Sequence, residues 1–452
     1  MTSYVFPADE LVKLRQSLLS EGPKEAAAVI LAGRAANSGR TALLVRECFP
    51  VPSVGYAVQE SLRLTIRPEF LAPLLKRSRI EGWSIIFAHT HPFCTDDVRF
   101  SPTDDSGESI LMPSVFSRAP SRPHASLVLG SRGFDARVWT APSWPPESVD
   151  TIVESGSELR VHARRPSEAV PPPDEFDRSV RAFGSAGQAL LKRLTVGIVG
   201  LGGIGSIVAE ELAHLGVGRM ILLDPDAVEP TNLNRLIGAN AMSVGRPKVD
   251  IAAEHVSRIR PSIQSNAVNG SILSGHDGKA LLEADLLFGC TDSHGSRAVL
   301  NQIAYQYMIP TIDLGIIINV VDFKVRSVTG RVQMLAPGLP CLVCQNLLNP
   351  EQVRRDFLSP KERALDPYIV GLPRPEPQPS VVSLNGTMAS LGVTMMLAAV
   401  TGLPSPARHQ VFIGERGIVR AVASSPLEDC VVCSRSGALG RGDLWPMMWR
   451  PG

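Results

Sequence analysis

The sequence predicts an α/β protein of two domains, a mixed α+β N-terminal one and a doubly wound, mostly parallel C-terminal one. Three observations carry this. Short β-like runs dominate before residue 164, strands alternate with helices after residue 175, and a proline-rich stretch separates the two regions. The length of 452 residues fits two or three domains at roughly 150 residues each.

In the first region AAAVILAG (26–33), TALLVREC (41–48), WSIIFAH (83–89), ASLVLG (125–130) and FDARVW (134–139) are strand candidates. LVKLRQSLL (11–19) and PEFLAPLLKRSRI (68–80) space their apolar residues as helices do. The stretch RRPSEAVPPPDEF (164–176) holds four prolines without apolar periodicity, which predicts a stiff linker, with domains at 1–160 and 176–452 and a linker at 161–175. Beyond it, a helix near 175–192 leads to a buried strand, LTVGIVG (194–200). A glycine-rich turn and helix (201–215), the strand RMILLD (219–224), a helix near 247–260 and the strand DLLFGC (285–290) follow. Such alternation implies a parallel sheet covered on both faces.

Composition excludes several classes. Lys plus Arg is 45 against 44 for Asp plus Glu, a net charge of +1, which argues against nucleic acid or an anionic membrane as main partner. Aromatics at 5% give little for base stacking. The first residues mix charges and lack an apolar run, so no signal peptide is expected and a cytoplasmic protein is. Residues 377–407 carry no charge, but Asn385 and three glycines interrupt them, which predicts a buried helix near 383–400 and no membrane span. Four of the seven cysteines form two Cys-x-x-Cys pairs, Cys341/Cys344 and Cys430/Cys433, a spacing that suits a four-sulfur structural zinc site.

The segment HTHPFCTDDVRFSPTDD begins at His89. His89 and His91, two apart at a strand end, point to one side, and Asp104 follows in a turn-to-helix region. Two imidazoles and one carboxylate make a zinc shell with a position open for water. Glu25 is the candidate general base and Ser101 the candidate oxyanion donor. An upstream Glu, His-x-His-Pro and Ser-x-x-Asp in this order resemble the JAB/MPN (JAMM) metalloprotease family over residues 1–140. The resemblance implies an enzyme that trims or removes ubiquitin-like proteins. The spacer from His91 to Ser101 is nine residues, about two longer than that family's usual form.

GLGGIGS (200–206) follows a buried strand and opens a helix, so that Gly200, Gly202, Gly203, Gly205 and Ser206 are candidate phosphate-binding residues. Asp224 ends the next strand, where a carboxylate can hold ribose hydroxyls. Alone, this pattern suits a dinucleotide. Asn232, Arg235, Lys248 and Asp292 shift it toward ATP, since Arg and Lys neutralise a triphosphate and Asp can hold magnesium. Together with both cysteine pairs and FDRSVRAFG (176–184), these residues resemble the ThiF/MoeB/HesA family of ubiquitin-activating-like adenylyltransferases, from Phe176 to the C-terminus. That resemblance implies a Rossmann-like domain with a zinc-stapled C-terminal part. It also implies a homodimer in which Arg178 reaches across to the partner's ATP phosphates. Two departures stand out. Leu236 replaces the family's Gln, and no cysteine lies between Gln345 and Asp429, where thioester-forming members carry one. The expectation is an enzyme that stops at the acyl-adenylate and passes the acyl group to a separate conjugating enzyme or a sulfur donor. Ser380 and Ser383 are expected to serve packing and turns.

The two resemblances converge on one partner, a β-grasp ubiquitin-like protein with a C-terminal glycine. They imply a bifunctional enzyme with zinc (one catalytic, one structural), ATP and magnesium. Sulfur-carrier activation to a thiocarboxylate is the alternative, as is a first domain that only docks the substrate.

Overall fold

The computed structural model describes residues 2–37, 40–120, 122–143, 145–165, 172–366 and 378–450. Residues 166–171 of the expected linker and 367–377 of the expected crossover segment lie outside them. The chain forms two compact units. One comprises Met1–Ser167, Gln306–Met308 and Ala438–Pro446; the other comprises Glu168–Tyr305, Ile309–Gly437 and Met447–Gly452. The expected contiguous domains are thus corrected at two places, 306–308 and 438–446, which pack with the first unit.

The first unit runs β1 (Thr2–Pro7), α1 (Glu10–Leu19), β2 (Ala27–Asn37), β3 (Arg40–Pro50), β4 (Tyr56–Gln59), β5 (Leu64–Ile66) and α2 (Pro68–Glu81). It continues with β6 (Ser84–Thr90), α3 (Pro102–Arg118), β7 (His124–Leu129), β8 (Phe134–Trp139), β9 (Glu147–Ser148), β10 (Thr151–Ser155) and β11 (Leu159–Ala163). The nine-stranded sheet has the order β11-β10-β1-β3-β2-β6-β7-β8-β9. β2 and β6 are central, which is why their sequences read as unbroken apolar runs rather than alternations. One face buries Tyr4, Phe6, Leu11, Leu14, Ile30 and Ile86 beneath α1. The other buries Trp83, Ile85, Met112 and Phe116 under α2 and α3. The expected linker start at 161 is corrected as well, because β11 continues to Ala163, paired antiparallel with β10.

Past its pairing with β6, β2 acquires a new neighbour. Asp443 N–H donates to the Arg34 carbonyl at 2.8 Å, and the Asp443 carboxylate accepts from Ala36 N–H at 2.9 Å. The fit leaves no room for a side chain at Gly33, whose Cβ would lie 2.0 Å from the Gly440 carbonyl oxygen.

The second unit runs α4 (Asp177–Arg193), β12 (Thr195–Val199), α5 (Gly203–Leu215), β13 (Arg219–Leu223), α6 (Lys248–Ile259), β14 (Gln264–Val268), α7 (Gly275–Gly278) and β15 (Leu286–Gly289). Then come α8 (His294–Gln306), β16 (Thr311–Val321), β17 (Lys324–Leu335), α9 (Pro350–Phe357), α10 (Pro360–Leu365), α11 (Val382–Thr401), β18 (His409–Ile413) and β19 (Ile418–Ala421). The sheet order is β14-β13-β12-β15-β16-β17-β18-β19. The pairs from β14 to β16 are parallel, as the alternation predicted. β16 to β19 pair antiparallel, a meander that the sequence expectation of a mostly parallel sheet omitted. The uncharged segment forms α11, whose buried residues include Asn385, Met388, Val393 and Met396. Gly392 admits the Leu314 side chain of β16, and Gly330 of β17 admits Met388.

His124, the first residue of β7, is fully buried. Its Nδ1 accepts from Ile85 N–H at 3.1 Å and its Nε2 lies 2.8 Å from the Ala119 carbonyl, so the neutral tautomer carries its proton on Nε2. Burial, aided by the Arg122 charge, outweighs the Ala119 carbonyl and pulls its pKa down to about 4. The unfolded chain, titrating near ~6.5, takes up the proton first as pH falls. The stabilising contribution is therefore complete above ~6.5 and lost progressively down to about 4, a loss of roughly 3 kcal/mol. The melting temperature of the wild type is expected to fall more steeply between pH 7 and 4.5 than that of His124→Gln; parallel curves would contradict this.

Candidate functional site

The first unit gathers the histidines, Asp104 and Glu25 by strand register. Ala27 of β2 pairs with His89 of β6, which extrapolates to Glu25 opposite His91. The chain at this end is held by Thr90 Oγ1, which accepts from Ala26 N–H at 3.0 Å, and by Tyr56 OH, which accepts from Ala27 N–H at 2.7 Å. His89 Nε2 lies 3.1 Å from Asp104 Oδ1, and His91 Nε2 lies 3.4 Å from Asp104 Oδ2 and 3.8 Å from Glu25 Oε1. The donor atoms of His89, His91 and Asp104 all fall within 4.8 Å of one another. His89 Nε2 is buried without a hydrogen-bond partner, an atom that a metal ion would satisfy. Burial acts upward on Asp104, but the hydrogen bonds from His89 and His91 outweigh it and hold the carboxyl well below the usual range. Glu25, 5% exposed, is pushed up by desolvation against the pull of both histidines.

Ser101 caps α3. Its N–H and hydroxyl donate to Asp104 Oδ2 at 2.6 and 2.8 Å, while Asp104 N–H donates back to Ser101 Oγ at 3.2 Å. Pro102 occupies the first helical position. The expectation of Ser101 as oxyanion donor is corrected accordingly, since its hydroxyl is aimed at the Asp104 carboxylate and orients it. The longer spacer packs on the turn between β7 and β8. Arg132 and Gly133 N–H both donate to the Thr95 carbonyl, and a Cβ on Gly133 would lie 2.1 Å from the Asp96 oxygen. Behind the histidines Arg137 pairs with Asp105 at 2.7 Å and Glu108 at 2.8 Å and stacks over Phe100. The sequence gave no signal for this support.

In the second unit the glycine loop lies where the strand order reverses, between the carboxyl ends of β12 and β15. Gly200 has φ +88°, and a Cβ there would lie 2.7 Å from the Cys290 carbonyl oxygen. A Cβ on Gly205 would lie 1.9 Å from the Gly200 oxygen. Gly202 opens onto free space, and Gly203 is overlaid by the Asn385 amide and the Arg235 side chain. Asn385 was not singled out from sequence as a site residue; its amide donates to Ser380 Oγ at 3.0 Å, which gives Ser380 a positioning role. Ser206 is buried and accepts from Ile237 N–H at 3.2 Å, so it secures the 236–238 turn in place of the expected nucleotide contact.

Asp224 Oδ2 accepts from Leu201 N–H at 2.6 Å and Oδ1 from Asp226 N–H at 2.8 Å. Burial raises its pKa, opposed by Lys248, whose Nζ lies 4.0 Å away and 2.8 Å from Asp226. Asn232 Oδ1 accepts from Glu229 N–H at 3.1 Å, and Arg235 Nη1 donates to the Thr231 carbonyl at 2.6 Å. Asp292 is exposed on the loop between β15 and α8. Leu236, in place of the Gln, fills a small apolar cluster with Val228 and Ile251. Desolvation, with the Asp313 charge, pushes the Cys290 thiol well up, which suits packing and not nucleophilic attack. Arg178 is 95% exposed on α4, which breaks at Phe183 and Gly184.

The two Cys-x-x-Cys turns meet. Cys341 Sγ lies 3.6 Å from Cys344 and 3.5 Å from Cys430, and Cys344 lies 3.4 Å from Cys433. A tetrahedral zinc with sulfur at ~2.3 Å requires edges of roughly 3.8 Å. Backbone N–H groups of Cys344, Leu427 and Val432 approach the sulfurs, as thiolates favour.

The chain belongs to the ThiF family, whose pattern matches residues 176–420. It is 28% identical over 253 residues to the sulfur carrier protein ThiS adenylyltransferase of Escherichia coli K12, covering 56% of this chain and 90% of that protein. It is 27% identical over 245 residues to protein HesA, heterocyst, of Trichormus variabilis, covering 53% and 80%. Identity reaches 37% over 133 residues with the molybdopterin-synthase adenylyltransferase of E. coli K12, covering 29% of this chain and only 53% of that one. Among solved structures it is similar to E. coli MccB, with 20% identity, a TM-score of 0.48, and coverage of 58% of this chain and 72% of that one.

Elemental analysis is expected to give two zinc ions per chain, one for each ligand group. Cys430→Ser is expected to lose one and lower the melting temperature by several degrees, because the site ties distant segments together. His91→Ala is expected to lose the other with little thermal change. Unaltered metal content in either variant counts against that assignment.

Proposed function

We propose that the second unit adenylates the C-terminal carboxylate of a small β-grasp ubiquitin-like or sulfur-carrier protein. The observation that carries this is the side-chain-free loop 200–205 at the opening of α5, flanked by Arg235, Lys248 and Asp224. Backbone N–H groups and the helix end favour phosphate, and Lys248 and Arg235 offset its charge. Asp292 would hold magnesium. A carboxylate oxygen attacks the α-phosphorus, the bond to the bridging oxygen breaks, and pyrophosphate leaves with the electron pair. With no cysteine from Gln345 to Asp429, the acyl-adenylate is the product. A thiol of another protein or a sulfur donor then accepts the acyl group; the named activity of the ThiS relative favours sulfur. Arg178, extended into solvent, would serve a partner protomer in a homodimer.

We propose further that the first unit is a zinc peptidase for the tail of the same substrate class. The convergence of His89, His91, Asp104 and Glu25 supports this. Zinc in this set supplies Lewis acidity and a water of lowered pKa. Glu25, beside His91, would take a proton from water and return it to the leaving amine. Ser101 would keep Asp104 in its ligating orientation.

The test is the intact mass of a candidate β-grasp protein incubated with the enzyme, with and without ATP and magnesium. Loss of tail residues without ATP and gain of an adenylate with it are expected. Asp104→Asn should abolish only the first, and Asp292→Asn should lower ATP–pyrophosphate exchange by about 100-fold or more while sparing the first. Tail loss that persists in Asp104→Asn would remove the peptidase assignment. Exchange that persists in Asp292→Asn would remove the magnesium role.

A further inference from the structure

A cluster of charge lies beside the loop that carries Asp292, on the sheet face opposite α11. Asp313 of β16, 1% exposed, pairs in register with Gly289, the last residue of β15. Arg331 of β17 donates through Nη2 to Asp313 Oδ2 at 2.5 Å and through Nη1 to Gln333 at 3.1 Å. Arg297, five residues after Asp292 on α8, brings its Nε to 3.3 Å from Asp313 Oδ1. That approach is not a hydrogen bond. Arg297 Nε and Asp313 Oδ1 are both buried and unsatisfied, and so are both ring nitrogens of His409 on β18, whose register partner is Gln333.

The charge does not balance. Two guanidiniums face one carboxylate, leaving +1. The remaining titratable groups do not cancel it. His409 and His294 are both held toward the neutral form, first by burial and then by these arginines. Asp356 is engaged by Ser293 Oγ and Gly295 N–H at the start of α8. A partly buried excess cation with unsatisfied N–H groups calls for an anion. A single negative charge closes the balance, while a phosphate dianion would overshoot it. The planar guanidinium fork matches a carboxylate.

We propose that Arg297 and Arg331, bridged by Asp313, receive the terminal carboxylate of the acyl substrate next to the nucleotide. This rests on the adenylation reading. A carboxylate must approach a triphosphate of like charge, and the arginine pair offsets that repulsion. Asp313 holds the two forks in place from behind, as a positioning residue. Arg331 discriminates a free C-terminus from a blocked one.

The test uses the full-length protein and two dye-labelled peptides that end in Gly-Gly, one with a free carboxylate and one amidated. Fluorescence anisotropy without ATP is expected to show the carboxylate form binding at least about tenfold tighter, a preference lost in Arg331→Gln and partly kept in Arg331→Lys. Equal affinity for both peptides, or binding of neither, overturns the proposal. ATP–pyrophosphate exchange with the carrier protein separates the two readings. Arg331→Gln should raise the carrier KM about tenfold or more and leave the KM for ATP within about twofold. Unchanged carrier KM overturns the site while adenylation stands. A wild type that prefers the carboxylate through Arg331 yet shows no exchange keeps the site and removes adenylation. Retained zinc and an unchanged melting temperature in Arg331→Gln exclude loss of fold as the cause.

Discussion

A Cβ atom on Gly205 would sit 1.9 Å from the carbonyl oxygen of Gly200, and one on Gly200 would sit 2.7 Å from that of Cys290. The second unit's arrangement depends on this absence of side chains. Gly200, at φ +88°, turns the chain out of β12, and Gly205 lets the first turn of α5 close over it. The same approach fixes the loop after β15 against the loop after β12. Asp224 ties β13 into this assembly through the Leu201 N–H, and Lys248 offsets the carboxylate that burial would otherwise disfavour. Any larger residue at 200 or 205 would push apart the strand ends that define the crevice.

The first unit solves a comparable problem with register instead of glycine. Because β2 and β6 are antiparallel with Ala27 opposite His89, Glu25 and His91 must face each other. A one-residue slip would turn both histidines to the opposite face of the sheet. Asp104 comes from a helix, not from the sheet, and its position is set by the capping box with Ser101. One short motif thus both starts α3 and aims the carboxylate. This explains why a spacer about two residues longer than usual leaves the His–Asp geometry intact. The extra length is absorbed by the contact of Thr95 and Asp96 with the β7–β8 turn, outside the ligand set.

Much of this was legible in the sequence because the relevant signals are local. The glycine loop, the His-x-His pair, the capping box and the cysteine pairs each lie within a few residues, and strands buried on both faces read as apolar runs. What escaped is non-local. β1 and β10 lie at opposite ends of the first unit's chain and pair in parallel, which no short-range pattern encodes. The β16–β17 hairpin alternates polar and apolar residues around Asp313 and Arg331, so its charged members looked like an exposed face. Their burial became visible only with α8 and β18 packed beside them. Ser206 was misjudged for a related reason. Position within a motif suggested a ligand contact, whereas helix periodicity turns this serine toward the 236–238 turn. The return of residues 438–446 to the first unit has no sequence signal, because it depends on a backbone edge left open by β2.

Charge is handled in the same local manner throughout. The net charge of +1 gives no long-range field to draw in an acidic partner, and at physiological salt such fields decay within roughly 8 Å. Each anion-handling place instead carries its own counter-charges. Lys248 lies against Asp224 and Asp226, Arg137 against Asp105 and Glu108, and Arg297 and Arg331 against Asp313. The first two groups match or exceed their positive charges with carboxylates. The third leaves one positive charge in excess, with buried N–H groups lacking acceptors. In a chain so nearly neutral, that local imbalance persists only if something outside the chain completes it. The adenylation chemistry proposed here brings a group of the right sign and size to that place.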